Sequence, residues 1–145
     1  MKQRRLPIIV VVTIAMLALS AWYLYDPPWL ATVTSGLLNW EEEEGRRFRW
    51  TGGHASFFVP SDASTITLPM RAWFPSNAGA VVVSVSVDDR WLADIELRRA
   101  RDWESSTLPL PTRKTHRRHR RVDLRVSRVV PPFNLGVELG VVEFR

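Results

Sequence analysis

Two patterns of apolar and polar positions divide this chain. From Leu6 to Tyr25, twenty consecutive residues carry no charge, with Lys2, Arg4 and Arg5 before the run and Asp26 after it. A helix of that length rises about 30 Å, the thickness of a bilayer's hydrocarbon core, so the run predicts a transmembrane helix. No polar stripe breaks it, which argues against a buried core helix. From Arg47 onward the period falls to two, the repeat of half-buried strands.

The strand signals recur at short spacing. Phe48 and Trp50 alternate with Arg47 and Arg49. After Gly52-Gly53, Ala55, Phe57 and Val59 alternate with His54, Ser56 and Phe58. Ile66, Leu68, Met70, Ala72 and Phe74 share one face of the next run, in which Pro69 predicts an edge strand or a bulge. Val81, Val83, Val85 and Val87 lead through Asp88-Asp89-Arg90 into Trp91, Ala93, Ile95 and Leu97, a hairpin with both apolar faces on one side. Its turn lacks the usual glycine. Leu108 and Leu110, then Val122, Leu124 and Val126, give two further strands, and Val137–Phe144 gives the last.

Before Arg47 the pattern is weaker. Asp26-Pro27-Pro28 ends the apolar helix with a stiff step, and residues 29–39 are mildly apolar without a clear period, compatible with a short juxtamembrane helix. Glu41–Glu44 reads as solvated surface. The expected organisation is a basic flank and transmembrane signal-anchor over 1–25, a juxtamembrane linker over 26–45, and a β-sandwich over 46–145. Eight or so short strands punctuated by proline and glycine indicate an all-β, jelly-roll-like antiparallel sandwich preceded by one transmembrane helix.

Charge orients the helix. Lys2, Arg4 and Arg5 hold the N-terminus in the cytoplasm, so the remainder is exported, and Trp22, Tyr23, Tyr25 and Trp29 match an interfacial aromatic belt. A cleaved signal peptide is the competing reading, with Ala18-Leu19-Ser20 as the small-residue cleavage site. Apolar and aromatic character continuing past Ser20 favours the retained anchor. The chain has no cysteine, which removes disulfides and thiolate metal sites.

The net charge of +5 is unevenly placed. Outside the flank, 17 Lys and Arg face 15 Asp and Glu, and six of the 17 fall between Arg113 and Arg121. Basicity is therefore one local feature. Arg113, Lys114, His116, Arg117, Arg118, His119, Arg120 and Arg121 form a candidate anion-binding loop for lipid headgroups or an acidic polysaccharide, the alternative being a solvated loop. An exported location and the lack of interleaved aromatics argue against nucleic acid.

The ordered set Phe48-Arg49-Trp50-Thr51, Ala55-Ser56-Phe57-Phe58-Val59-Pro60, the Val81–Leu97 hairpin, Leu135-Gly136-Val137 and Val141-Val142-Glu143-Phe144 resembles an uncharacterised bacterial β-sandwich domain. That domain is found attached to polytopic membrane proteins, including glycosyltransferase-like ones, or on a single anchor. An acidic residue and an Arg-Trp pair open it, and a Leu-Gly-Val turn begins its final strand. The resemblance covers roughly residues 40–145 and implies a jelly-roll-like sandwich similar to carbohydrate-binding modules, in the setting of cell-envelope polysaccharide. It carries over no catalytic residue. The Arg-rich loop before the penultimate strand departs from it. The expected location is the bacterial inner membrane, with the C-terminal domain outside the cytoplasm.

Seven tryptophans invite a sugar-binding reading, and parity sorts them. Trp50 and Trp91 fall in register with inward positions and are expected in the core. Trp73, beside Arg71, and Trp103 are left as a candidate glycan platform, with edge packing as the plainer role. His116 and His119 are spaced for a metal, but six cations around them disfavour a divalent ion. Asp88-Asp89 suit structural calcium or, more simply, a polar turn. His54 reads as a surface histidine beside a turn. No nucleophile elbow and no cleft-like carboxylate pair is present, so neither catalysis nor a cofactor is expected. The expectation is a non-enzymatic, single-pass module contacting an envelope glycan or other anionic polymer. The alternative is a structural module docking onto a membrane protein complex such as a glycosyltransferase.

Overall fold

A computed structural model describes residues 5–75, 78–112 and 116–145. The chain divides into a unit ending at Leu30 and a second unit, Ala31–Arg145. In the first, Arg5–Tyr25 forms helix α1. The stretch Ile8–Thr32 is long and apolar enough to cross a membrane, with a mean hydropathy of 2.2, and residues 8–25 of helix α1 are exposed. Pro27-Pro28 ends the helix, and a 3-10 turn follows over Pro28–Thr32.

Among the described residues, the second unit is a nine-stranded antiparallel sheet built from β1 (Ser35–Glu43), β2 (Arg46–Pro60), β3 (Thr65–Arg71), β4 (Val81–Val87), β5 (Arg90–Leu97), β6 (Glu104–Pro109), β7 (His119–Val126), β8 (Glu138–Gly140) and β9 (Glu143–Phe144). The order is β5-β4-β7-β2-β8-β3-β6, with β1 paired to β2 and β9 to β3. The sheet curls so that β5 and β6, at opposite ends of this order, come into contact. Valines of β4 and β7, Ile95 and Leu97 of β5, and Phe57 and Val59 of β2 share one buried core with Ile66, Leu68 and Met70 of β3 and with Leu139 of β8. Each fully buried aliphatic side chain contributes about 1.5–3 kcal/mol relative to exposure.

Several elements differ from the sequence expectation. Residues 35–43 are a strand rather than part of a linker or helix, so the sheet begins before residue 46. Gly52-Gly53 does not interrupt β2. Its first half pairs with β1 and β8, and its second half, His54–Pro60, pairs with β7. The strand expected over 137–144 is two short ones. β8 pairs with Met70 and Arg71 while β9 pairs with Ile66 and Thr67, leaving Leu68 and Pro69 unpartnered on that side. Pro69 thus sits inside the sheet, opposite a break in the neighbouring strand, where its missing N–H removes no ladder bond on that side.

Gly136 explains the Leu-Gly-Val element. A Cβ on it would lie 2.5 Å from the Gly52 carbonyl oxygen and from Thr51 Oγ1. The close approach lets Gly136 N donate to Thr51 O at 2.7 Å, Thr51 N to Val137 O at 2.8 Å, and Val137 N to Thr51 Oγ1 at 2.9 Å. Thr51 is fully buried. This clamp seats β8, and with it Glu138, against β2.

Candidate functional site

The hairpin of β4 and β5 sets the first feature. Asp88 and Asp89 both have positive φ, 51° and 65°, and are the only residues between Val87 and its partner Arg90, which makes a type I′ turn without glycine. From that turn Ser86 pairs with Trp91, but Val85 pairs with Ala93, so Leu92 is an extra residue and β5 carries a bulge. Ala93, Ile95 and Leu97 keep their inward parity, while Trp91 joins Ser86 on the outer face. Trp91 is 69% exposed, correcting its expected core position; Leu92 packs against the core instead. Trp50 is half-buried.

Register then defines rows across the outer face of β2, β7, β4 and β5. His54, Arg125, Ser84 and Asp94 form one, and Ser56, Asp123, Ser86 and Trp91 form the next. Directly opposed side chains of this kind lie about 5 Å apart at Cβ. His54, Arg125 and Ser84 of the first row and Asp123, Ser86 and Trp91 of the second line a groove of about 500 Å³ bounded also by Asp89 and Arg121. Two of these lining residues bond to Asp94 beside the groove: Ser84 Oγ donates to Asp94 Oδ1 at 2.5 Å and Trp91 Nε1 to the same oxygen at 3.2 Å. These bonds, that from Ser84 foremost, hold the Asp94 carboxyl below its ordinary value. His54 Nε2 lies 3.3 Å from Asp123 Oδ1, and Arg121 Nε donates to Asp123 Oδ2 at 2.8 Å. That bond is the largest cause holding the Arg121 guanidinium above its ordinary value.

The groove was hidden in the sequence by the bulge. Parity counted back from Leu97 puts Trp91 inside; parity counted forward across a two-residue turn puts it outside. The conflict between the two counts is itself the signal of an inserted residue.

The expected platform residues do come together, around Arg71. Its Nε donates to Glu138 and its Nη2 to Glu43 at 2.5 Å, and Trp73 Nε1 donates to Glu138 Oε1 at 3.0 Å. The Glu138 bond is the first cause raising the Arg71 pKa. Its guanidinium carbon lies 5.6 Å from the centroids of Phe48 and Trp73 and 5.0 Å from that of Trp103. Arg101 lies 4.8 Å from the Trp73 centroid and Arg46 5.2 Å from that of Trp103. Trp73 and Trp103 are half-buried and each carries two guanidinium groups, so the cluster is internally occupied by cation–π contacts.

The basic segment divides. Arg113 and Lys114 lie outside the described residues. His116, Arg117 and Arg118 are exposed, and His119 is half-buried at the start of β7. Arg120, 3% exposed, donates from Nε to Asp88 Oδ2 at 3.0 Å and from Nη1 to the Pro111 carbonyl at 2.7 Å. Arg121 donates to Asp89 at 2.5 Å as well as to Asp123. Asp88 and Asp89 therefore pin β7 to the hairpin turn. Among the described residues no group of three or more His, Cys, Asp or Glu is placed to hold a metal ion.

The chain matches no known family profile. It matches no curated protein either. Its fold does have relatives among solved structures. The salicylyl-acyltransferase SsfX3 of a tetracycline biosynthetic pathway superposes with a TM-score of 0.51 at 14% identity, over 78% of this chain and 36% of that one. A family 35 carbohydrate binding module from an environmental isolate gives 0.49 at 12% identity, over 76% and 86%. CsCBM6-3 from Clostridium stercorarium, solved with cellobiose, gives 0.47 at 9% identity, over 77% and 85%. At 14% identity the likeness to the first of these is one of fold alone; the curled antiparallel sheet of this chain is the jelly-roll-like sandwich that the strand pattern predicts.

Proposed function

We propose that this chain is a membrane-anchored, non-catalytic module whose β-sandwich stands outside the cytoplasm and contacts a cell-envelope glycan through the groove on β2, β7, β4 and β5. One observation carries the reading: Trp91, 69% exposed, stands on a floor of Ser, Asp, Arg and His side chains. A sugar ring offers an apolar face, which an indole covers, and a rim of hydroxyls, which such side chains bond. The groove is a better host than the Trp73–Trp103 cluster, whose rings already carry guanidinium groups. The basic N-terminal flank supports an N-in orientation. The exposed stretch His116, Arg117 and Arg118 supports an added contact with anionic headgroups or polymer. The test is binding of the full chain, in detergent, to an array of envelope oligosaccharides, with Trp91→Ala as the variant that loses it.

A second reading, docking onto a membrane protein partner, is favoured by Phe133. It is 80% exposed at the tip of a short hairpin closed by Val130 and Leu135. Co-purification of a partner that Phe133→Ser abolishes, with no saccharide bound by the array, would favour it.

A further inference from the structure

The groove's charged side chains differ in how far the protein already satisfies them. Asp123 accepts from His54 and Arg121, Asp94 accepts from Ser84 and Trp91, and Arg121 also reaches Asp89. Arg125 is exposed, stands between His54 of β2 and Ser84 of β4, and makes no hydrogen bond or ion pair with any described residue. Among the described residues lining the groove, it is the one fixed cation with no hydrogen-bonded carboxylate. A guanidinium presents two parallel N–H donors that match a carboxylate or phosphate oxygen pair.

We infer that the groove recognises an acidic oligosaccharide, with a singly charged substituent, a uronate carboxylate or a phosphodiester, seated on Arg125. This rests on the glycan reading above and adds the ligand's charge. The single charge follows from the surroundings: among the described residues lining the groove only Arg125 has no hydrogen-bonded carboxylate, and Asp94 and Asp123 nearby repel a dianion. Arg125 and Trp91 stand two strands and one row apart, on the order of 12 Å at the backbone by strand and residue spacing. They therefore engage different parts of an extended chain, one residue stacking while another presents its charge.

The experiment is calorimetric titration of the full chain in detergent with oligouronates, with the same oligosaccharides reduced at the carboxyl, and with a glycerol-phosphate polymer. The uronates or the phosphodiester polymer should bind about tenfold more tightly than the neutral forms, the scale of a charge-assisted hydrogen bond. Arg125→Gln should erase that difference, and Trp91→Ala should weaken acidic and neutral ligands alike. Which acidic ligand prevails identifies the source of the charge. Arg125 lies on the outer face, so the variant keeps its fold, checked by near-ultraviolet circular dichroism. Equal affinity for acidic and neutral forms, or discrimination that survives Arg125→Gln, overturns this inference and leaves the glycan reading standing. No saccharide bound at all overturns both.

Discussion

Ser86 on β4 stands opposite Trp91 on β5, while its neighbour Val85 stands opposite Ala93. One inserted residue, Leu92, separates these pairings and turns an indole from the core to the surface. The groove exists because of that step. A bulge near a binding face re-aims a side chain without disturbing the strands beyond it.

The Arg71–Glu138 pair has the opposite character, structural rather than exposed. Glu138 is 2% exposed and Arg71 9%. Arg71→Met leaves a buried carboxylate with the Trp73 indole as its remaining donor, and should cost about 3–5 kcal/mol. The double variant Arg71→Met/Glu138→Leu should recover most of that loss, because the stranded charge goes with it. Urea denaturation reads both. A single variant as stable as the parent would remove the pair from the stabilising framework.

Gly136→Ala should destabilise by about 1–3 kcal/mol, the range for forcing a methyl into packed surroundings. The added carbon meets the Gly52 carbonyl and Thr51 Oγ1 at 2.5 Å, within the clamp that seats β8. A lower thermal midpoint with weakened amide protection at Thr51 and Val137 is expected. An unchanged midpoint would mean that β8 docks without this close approach.

Asp94 carries a pH prediction. Hydrogen bonds from Ser84 and then Trp91 hold its carboxyl below the ordinary 3.8. A carboxyl depressed in the folded state adds stability above that ordinary value and loses it as pH falls through the folded one. In carboxyl-carbon NMR titration Asp94 should titrate below 3.8, and Ser84→Ala should move it upward more than Trp91→Phe does. No movement in either variant would place the cause elsewhere.

Much of this fold was legible because a strand with one buried face writes its burial as alternation. Val81, Val83, Val85 and Val87 are all buried, and the residues between them are half-buried. β1 went unread for the same reason inverted: of its nine residues only Leu37 escapes full exposure, so no face imposes a period. The sequence of β2 reads as two runs because glycine usually interrupts a strand, yet here the strand continues through both glycines. At the candidate site, Arg71, Trp73 and Trp103 lie together, but their sequence carries no sign of the guanidinium groups that occupy the rings. Six cations in nine residues suggested a single basic loop. Pairing partners distant in sequence, Asp88 and Asp89, draw Arg120 and Arg121 into structure instead.

The orientation proposed for the anchor is directly accessible because the chain has no native cysteine. Asp62→Cys, at an exposed turn, should react in intact spheroplasts with a membrane-impermeant maleimide. Labelling only after lysis would place the sandwich in the cytoplasm and contradict the proposal.

Trp91 is proposed as a binding residue rather than a structural one. Its most direct test is a paired measurement on the full chain with and without Trp91→Ala: affinity for envelope oligosaccharides and stability to urea. An affinity loss of about tenfold or more is expected, the scale of an aromatic contact with its buried area. Stability should change by no more than about 0.5 kcal/mol, as for an exposed side chain outside the framework. Unchanged saccharide affinity in the variant, or a large loss of stability, would contradict that role.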